Sequence, residues 1–385
     1  MTMQVARGTL AVGAGFVGGG FMAEVHSRSA RAAGAQLRGA SSSSADRSRA
    51  AAERLGLERG YERLDDLLQD DSVDVVHVCT PNATHAPIAL RAIEAGKHVV
   101  CEKPLATSVA DAEQLVLAAA SAGVTATVPF VYRFHPMVRE ARARVARGEI
   151  GPLLSISGSY LQDWLLDSGD DDWRVDASTG GPSRAFADIG SHLVDLIEFV
   201  TGDRISRLAA TKRTVFAERA SNRDIATEDA VAVVAETRGG ALGTLLVSQV
   251  APGRKNRLLI EISGSAESIQ FDQEQPETLW LGRRAGSSLL MRDPDTLTPD
   301  AARLSRVPAG HPMGYQDAFA GFVADSYAAI GGADPDGLPT FADGLRAVRV
   351  TDAVLASCAT GGWVDVADGA PGDAPHDHPH ERNAR

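Results

Sequence analysis

The segment Ala95-Gly-Lys-His-Val-Val-Cys-Glu-Lys-Pro-Leu105 joins a short apolar run to a charged ending. The run His98–Cys101 is typical of a buried strand, and it stops at Glu102, Lys103 and Pro104. Pro104 fixes its own φ and holds the lysine before it in extended geometry, and the bond between them is of the kind that can be cis. In open α/β sheets, ligands bind at the carboxyl ends of the strands. The segment therefore predicts a sheet edge at which Lys103 meets a ligand.

Short apolar runs alternate with helical patterns on both sides of this segment. Such a rhythm indicates βαβ units and therefore an α/β fold with a doubly wound parallel sheet. The runs are Leu10–Val17, Ala35–Ala40, Val73–Cys79, His98–Cys101 and Val124–Val131.

Two glycine fingerprints overlap near the start of the chain, Gly13-Ala-Gly15-Phe-Val-Gly18 and Gly18-Gly-Gly20-Phe-Met-Ala23. The first would place glycines inside the first helix, where each costs about 1 kcal/mol relative to alanine. The second leaves a strand up to Val17 and a helix from about Phe21 to Ala33, so we favour it. Backbone N–H groups at such a helix start bind a pyrophosphate, although a glycine-rich turn without a ligand is the alternative. The expected contacts are Gly18, Gly20, Phe21 and Met22.

The end of the second predicted strand bears on which dinucleotide binds. NAD sites usually carry a carboxylate there for the ribose 2′-hydroxyl. This chain has serines at positions 41–43, and Arg47 follows within reach of a 2′-phosphate. The pattern favours NADP, whereas Asp46 or backbone contacts leave NAD open. The expected contacts are Ser41, Ser42, Ser43 and Arg47.

A turn follows the run Val73–Cys79 at the same ligand edge. His85 either lines the cofactor site or only completes this turn. Glu102 is expected to position Lys103 or a ribose. The expected cofactor contacts in these segments are Thr80, Pro81, Asn82, His85, Glu102 and Lys103.

Length, charge and cysteine content narrow the class of protein. A chain of 385 residues predicts two domains. The net charge of −12 argues against a nucleic-acid partner, and three cysteines cannot form a secreted disulfide framework. No run of 18 apolar residues is present, so no membrane span is expected. We expect a cytoplasmic protein with a small-molecule ligand.

The strongest constellation in the second half is Ala187-Asp-Ile-Gly-Ser-His-Leu-Val-Asp195. Asp188 and His192 are four residues apart and so share one face of a helix, while an apolar stripe packs a neighbouring face. A histidine with a carboxylate one turn away suits acid–base catalysis, because the carboxylate orients the ring. An exposed i,i+4 pair is the alternative. The pattern favours His192 as a base oriented by Asp188.

Tryptophans lie among amides and charges in Tyr160-Leu-Gln-Asp-Trp164 and in Trp173-Arg174. Sugars have apolar C–H faces and polar edges, so such a surface can bind a saccharide, with burial of the tryptophans in the core as the alternative. Beyond Gly202, successive strands with short links predict antiparallel neighbours. The expected substrate contacts here are Gln162, Trp164, Trp173 and Arg174.

Four motifs, in matching order and spacing, resemble the glucose–fructose oxidoreductase / inositol dehydrogenase (Gfo/Idh/MocA) superfamily. They are Gly18-x-Gly-x-x-Ala-x-x-His26, Cys79-Thr-Pro-Asn82, Ala95-Gly-Lys-His98 and Glu102-Lys-Pro104. The last two are the specific part. The resemblance implies a Rossmann domain (1–131), an α/β domain with an open, mostly antiparallel sheet (132–366), and a homo-oligomer built through that sheet. Residues 367–385 are expected to form a disordered tail.

The same resemblance bears on individual residues of the second half. It places Tyr132 and Arg133 after the crossover, next to the nicotinamide or the substrate, with packing as the alternative. It places His311 on a loop that dips toward the substrate. The surroundings of Trp164 most resemble levoglucosan dehydrogenase-type proteins, which oxidise a sugar ring at C3.

Together these residues and the resemblance imply an NAD(P)-dependent oxidoreductase. It would transfer a hydride between a nicotinamide and a ring carbinol, at C3, of a sugar or anhydrosugar. His192 would take the hydroxyl proton and Lys103 would donate to the same oxygen, so no metal is expected. The alternatives are an inositol dehydrogenase, a redox glycosidase with a 3-keto intermediate, and a non-catalytic dinucleotide-sensing protein.

Overall fold

The computed structural model describes residues 12–368. Residues 1–11 and 369–385, which hold the start of the run Leu10–Val17 and most of the expected tail, lie outside the described residues. Within the described range, no helix combines the length and the apolar character that crossing a membrane requires.

The first sheet is parallel and contains six strands: β1 (Gly13–Val17), β2 (Gln36–Ser41), β3 (Arg59–Gly60), β4 (Val75–Val78), β5 (His98–Cys101) and β6 (Ala126–Thr127). Their spatial order is β3-β2-β1-β4-β5-β6. The order reverses between β1 and β4, and doubly wound sheets bind ligands at such a reversal. The predicted α/β Rossmann sheet is confirmed.

Helices fill the connections of this sheet: α1 (Phe21–Ala32), α2 (Ala45–Leu55), α3 (Leu64–Leu68), α4 (His85–Glu94) and α5 (Val109–Ala122). The end of β1 at Val17 and the start of α1 at Phe21 agree with the fingerprint that begins at Gly18. Gly18 has φ +102°, and a Cβ there would lie 2.4 Å from the carbonyl oxygen of Cys79. Only glycine suits this close approach of β1 to the segment after β4.

The second sheet contains nine strands: β7 (Leu153–Leu161), β8 (Ile205–Arg213), β9 (Ala230–Thr237), β10 (Leu242–Ser248), β11 (Arg257–Gly264), β12 (Ser268–Asp272), β13 (Thr278–Arg283), β14 (Gly286–Met291) and β15 (Val364–Asp365). Their order is β14-β13-β12-β11-β7-β10-β9-β8-β15. Strands β7 and β10 pair in parallel, and the other described pairs are antiparallel. The expected open, mostly antiparallel sheet is confirmed.

Six helices accompany this sheet: α6 (Pro136–Ala146), α7 (Ala177–Gly180), α8 (Ser191–Thr201), α9 (Pro299–Arg303), α10 (Tyr315–Ile330) and α11 (Phe341–Thr360). Helix α8 buries Leu193 and Ile197 in the same core as Leu245 and Ile260 of the sheet. Helix α10 also packs on α1 of the first half, and α11 packs both on α5 of the first half and on β8 and α8 of the second. The domain limits at 131 and 366 stay predictions, since the last two long helices bind both halves together.

Candidate active site

A cavity of about 1220 Å³ is lined by both halves of the chain. Its wall includes residues at the carboxyl ends of β1, β2 and β5, together with residues of β7 and of the segments that precede α8 and β11. Lys103, Asp188 and His192 all line it. The structure therefore brings the three predicted catalytic residues to one site.

The predicted cofactor residues also line this cavity. Gly20 is the N-cap of α1 without a side-chain cap, and a Cβ there would meet nothing within 4 Å. The first N–H groups of α1 therefore have room for an anion, which fits the pyrophosphate of a dinucleotide. The residues are Gly18, Gly20, Phe21, Met22, Ser41, Ser42, Ser43, Arg47, Thr80, Pro81, Asn82, His85, Glu102 and Lys103.

The end of β2 presents hydroxyls and a guanidinium to the cavity. Arg47 Nη1 donates to Ser43 Oγ at 2.9 Å, and both residues line the wall. Asp46, the acid of this segment, is exposed and pairs with Arg49 instead. The β2 end therefore places Ser43 and Arg47 on the wall, while the Asp46 carboxylate is paired with Arg49.

Asn82 and His85 hold the loops around the cofactor half of the cavity. Asn82 Nδ2 donates to the carbonyl oxygen of Gly180 at 2.8 Å, which joins this edge to the second half. The two ring nitrogens of His85 lie 2.8 Å from the carbonyl oxygens of Pro104 and Thr80. Burial lowers the pKa of His85. His85 thus both lines the cavity and braces its loops.

Lys103 extends from the end of β5 to Asp188 in the second half. Its Nζ donates to Asp188 Oδ1 at 2.6 Å and to the Asp188 backbone oxygen at 3.0 Å. Gln249 Nε2 donates to the other carboxylate oxygen at 2.8 Å. Burial alone would raise the pKa of Asp188, but the charges of Lys103 and Arg174 hold it well below its usual value. The Asp188 carboxylate therefore stays ionised, and the Lys103–Pro104 bond beside it is cis.

His192 lies in the first turn of α8, with its ring packed edge-on against Phe130 and Tyr132 at centroid distances of 5.7 and 5.1 Å. Its Nδ1 is buried and has no hydrogen-bond partner among the described residues. Burial, and then the charge of Lys103, lowers the pKa of His192 to about 3. The imidazole is therefore neutral at ordinary pH and able to accept a proton.

Asp188 does not orient the His192 ring in the way that the four-residue spacing predicts. Within residues 12–368, its carboxylate bonds to Lys103 and Gln249 and not to His192. The physical reason is local, because residues Phe186–Gly190 form a π-helical turn ahead of α8. In such a turn, side chains four residues apart no longer stack as they do on an α-helix. Asp188 holds the lysine, and aromatic rings hold the histidine.

Hydrogen bonds join residues of the predicted saccharide-binding surface. Trp164 Nε1 donates to Gln162 Oε1 at 2.8 Å, and Gln162 Nε2 donates to Asn256 Oδ1 at 2.8 Å. The Arg174 guanidinium lies 4.3 Å from the ring centre of Trp173, a cation–π contact. All five residues line the cavity. The tryptophans are thus part of the wall and not of the core.

Several lining residues escape prediction from the sequence. The Tyr132 and Tyr160 hydroxyls lie 2.5 Å apart, and Tyr160 donates to Asn256 Oδ1 at 2.8 Å. Tyr160 and Asn256 come together because β7 pairs with β11, which no local spacing reveals. Tyr315 is the exception, since it ends the loop that the resemblance singles out. The residues missed are Tyr160, Asp172, Gln249, Lys255, Asn256 and Tyr315.

Two predicted substrate contacts lie away from the cavity wall. Arg133 is buried and forms ion pairs with Asp195 and Asp343, so its charge is used inside the protein and it is not part of the cavity wall. For Arg133 the packing alternative holds. His311 is exposed on a loop outside the wall, and Tyr315 further along is the residue that reaches the cavity.

A parallel sheet with a glycine-rich helix start, opening on an ionised lysine–aspartate pair and a neutral histidine, defines a nicotinamide-dependent oxidoreductase. Comparisons with known proteins identify the family of oxidoreductases to which the chain belongs. Residues 12–130 match the profile described as oxidoreductase family, NAD-binding Rossmann fold, and residues 138–270 match the GFO/IDH/MocA C-terminal domain. The chain belongs to the GFO/IDH/MocA family and is an NAD-binding oxidoreductase of the type that includes the sugar and inositol dehydrogenases.

Individual relatives agree with this assignment. The chain is 31% identical to a levoglucosan dehydrogenase of Pseudarthrobacter phenanthrenivorans, over 82% of this chain and 85% of the relative. It superposes on an oxidoreductase domain protein from Kribbella flavida with a TM-score of 0.87 and 37% identity, covering 93% of this chain and 100% of the other. An inositol dehydrogenase homolog from Azotobacter vinelandii, solved with NAD+, gives a TM-score of 0.84 and 28% identity, covering 92% and 97%.

Proposed function

We propose that this protein oxidises a ring carbinol, at C3, of a sugar or anhydrosugar with NAD(P) as hydride acceptor. The observation that carries the proposal is the placement of the Lys103–Asp188 pair and neutral His192 on one cavity wall with the glycine loop. The wall formed by Trp164 and Trp173 supports a saccharide substrate. The levoglucosan dehydrogenase relative supports an anhydrosugar.

The residues of this chain divide the work of the reaction. When bound, a nicotinamide supplies the hydride acceptor. Lys103 donates a hydrogen bond to the carbinol oxygen and stabilises its developing negative charge. His192 takes the hydroxyl proton, which its neutral state allows. Asp188, itself bonded by Gln249, holds the lysine head group in place, so the donor costs little reorganisation during the reaction.

The preferred dinucleotide is proposed to be NADP. Ser43 and Arg47 form a hydrogen-bonded pair on the cavity wall, and Ser42 lies beside them. A guanidinium binds phosphate well, because its donors match the phosphate oxygens. The acid that would serve a 2′-hydroxyl, Asp46, is paired elsewhere.

The second sheet is proposed to form a homo-oligomer. The face of the sheet that α8 leaves open carries an apolar patch across three adjacent strands, formed by Leu154, Val234, Leu242 and Leu246. Patches of this kind on a soluble protein mark interaction surfaces. A cytoplasmic location stays a prediction.

Substrate screening tests the proposed activity. Levoglucosan, glucose, xylose and myo-inositol would each be offered with NAD+ and with NADP+, while the absorbance of the reduced nicotinamide is followed. We expect turnover of the anhydrosugar or sugar, and a slower rate when deuterium replaces hydrogen at C3. Turnover without an isotope effect at C3 would move the reaction to another carbon.

An inositol dehydrogenase is the second candidate, favoured by the similarity to the inositol dehydrogenase homolog of Azotobacter vinelandii. It predicts that myo-inositol exceeds every sugar in kcat/KM. If no polyol is oxidised while either dinucleotide binds tightly, the protein is a dinucleotide sensor and the enzymatic proposal fails.

A further inference from the structure

A chain of hydrogen bonds leads from Glu102 into the interior of the first half. Glu102 Oε1 lies 2.9 Å from His26 Nε2, His26 Nδ1 lies 2.9 Å from His77 Nδ1, and His77 Nε2 lies 2.8 Å from the Tyr327 hydroxyl. All four side chains are buried. They come from the residue after β5 and from α1, β4 and α10, so the hydrogen-bond chain crosses elements that are far apart in sequence.

The order of donors along this chain follows from the charge at its end. An ionised Glu102 only accepts, so His26 Nε2 carries a proton and, in a neutral ring, His26 Nδ1 accepts. His77 Nδ1 must then donate, His77 Nε2 must accept, and the Tyr327 O–H must donate. With Glu102 ionised and His26 neutral, each bond has one donor and one acceptor when the two histidines have opposite tautomers. One charge thus sets three proton positions.

The surroundings of the chain are otherwise apolar. His77 stacks on Phe16 at a centroid distance of 4.9 Å, and His26 lies 4.6 Å from the ring centre of Phe319. Burying three polar rings in such a core costs free energy unless each is hydrogen-bonded. Packing alone would not require these three polar rings, whereas a buried carboxylate requires hydrogen-bond donors.

Glu102 connects the chain to the catalytic lysine. Its Oε2 accepts the backbone N–H of Lys103 at 3.2 Å, and it lines the cavity beside that lysine. We propose that His26, His77 and Tyr327 are positioning residues, which keep Glu102 ionised and fixed so that Lys103 is held in its catalytic geometry. The inference rests on the proposed function, because it concerns the same lysine.

Other titratable groups also act on this carboxylate. Burial alone would raise the pKa of Glu102, and the hydrogen bond and electrostatic attraction of His26, followed by the charge of Lys103, lower it below its usual value. Groups in the cavity and next to the strand share its field: Lys103, His85, Arg174, His192, Tyr315, Cys79 and Cys101. His77 and Tyr327 do not belong to this set, although Cys79 also acts on the pKa of Tyr327, so both positions are suitable for mutation.

The test replaces Tyr327 by Phe and, separately, His77 by Phe, and follows the pH dependence of kcat. Loss of the last donor destabilises the ionised end of the chain, so the acidic limb of kcat moves up by about one pH unit. We expect kcat to fall about tenfold, the scale of leaving one buried polar group without its hydrogen-bond partner, with substrate KM and dinucleotide Kd nearly unchanged. The matched control is Phe322→Leu, in the same core but outside the chain, which lowers the melting temperature without moving the limb.

A second measurement does not depend on activity. In protein labelled with 15N at histidine, NMR should show His26 as the Nε2–H tautomer and His77 as the Nδ1–H tautomer. Identical tautomers, or a protonated His26, would overturn the inference, as would a limb that stays in place in both variants. If the wild type oxidises no polyol but the opposite tautomers are found, the proposed function fails while the hydrogen-bond chain stands.

Discussion

Lys103 lies at the centre of the proposed chemistry, because its ammonium group comes from the first half of the chain and is held by Asp188 of the second half. Its side chain is only 14% exposed and is bound by Asp188 through both a carboxylate and a backbone oxygen. Replacing Lys103 by Met keeps the length of the side chain but removes the donor. We expect kcat to fall about 10²- to 10³-fold, the scale of losing one donor to a developing oxyanion.

Dinucleotide binding should remain nearly intact in this variant, which separates catalysis from the cofactor cradle. Fluorescence titration of the bound reduced nicotinamide would measure it. Lys212→Met, an exposed lysine of β8 outside the cavity, is the control and should leave both quantities unchanged. Full activity of the Lys103 variant would remove the lysine from the mechanism.

His192 leads to a prediction about pH. Burial and the charge of Lys103 lower its pKa to about 3, so the ring is neutral above that pH and ready to accept a proton. In the free enzyme, kcat/KM reports this group. We expect no acidic limb from His192 between about pH 5 and 8, whereas an unperturbed histidine would produce one near pH 6.5.

A profile of kcat/KM against pH measures this directly, and His192→Gln shows which part of it belongs to the ring. The variant should lose activity at every pH, and the pH dependence of kcat/KM near neutral pH should stay unchanged. A fall in wild-type kcat/KM near pH 6.5 that disappears in the variant would show that the ring becomes protonated near that pH. The lowered pKa of His192 would then be wrong.

Arg47 allows the dinucleotide preference to be tested. It is exposed, bonds to Ser43 and lines the cavity, so a 2′-phosphate is the ligand group it suits. Arg47→Ala should weaken NADP+ binding about tenfold, the scale of a charge-assisted hydrogen bond, and leave NAD+ binding unchanged. Arg49→Ala on the same helix removes an exposed arginine outside the cavity and should affect neither. Equal losses for NAD+ and NADP+ would place Arg47 on the shared part of the cofactor.

At the scale of elements, the loop between β1 and α1 separates folding from binding. Gly18 has φ +102° and no room for a Cβ, so Gly18→Ala should lower the melting temperature of the free protein. Gly20 has φ −86° and a Cβ there would meet nothing within 4 Å. Gly20→Ala should therefore melt like the wild type, yet bind dinucleotide more weakly, because the methyl group lies where the pyrophosphate approaches. Equal melting losses in both variants would contradict this assignment.

The elements that the sequence predicts are those that depend on local pattern. The alternating runs predict the parallel sheet, and the position of the glycines predicts the boundary between β1 and α1 within a residue or two. Helix α8 shows the limit of such reasoning. Spacing places Asp188 and His192 on one helix, but the π-helical turn sends the carboxylate to Lys103, a partner 85 positions away in the chain.

Contacts made by pairing of distant strands lie beyond local pattern altogether. Gln249 reaches Asp188, and Asn256 reaches Tyr160, only after the nine-stranded sheet has formed. Arg133 shows the converse, because a charged residue beside the cavity is drawn inward once Asp195 and Asp343 are there to pair with it. The sequence predicts which residue types can do the chemistry, and the tertiary fold decides which of them are free to do it.

At the scale of the whole molecule, the site depends on keeping its two halves together. Lys103 comes from the first sheet and Asp188 from the second half, and Asn82 bonds to Gly180 across the same boundary. Helices α10 and α11 pack back onto the first half, so the end of the chain stabilises the arrangement that its middle requires.

The apolar face of the second sheet tests that assembly. Leu242 and Leu246 on β10 are 60% and 46% exposed, and they lie between Val234 on β9 and Leu154 on β7, which are 47% and 55% exposed. Removing such an apolar patch from water is favourable in free energy. A second copy of the same sheet matches the patch in shape and polarity. The double variant Leu242→Glu with Leu246→Glu should therefore convert an oligomer to monomers in light scattering, because paired interfaces would bury like charges. Leu117→Glu, a leucine of α5 that is 53% exposed and far from the sheet, should leave the mass unchanged. A wild-type protein that is already monomeric at micromolar concentration, or a double variant that stays oligomeric, would show that this face is not the interface.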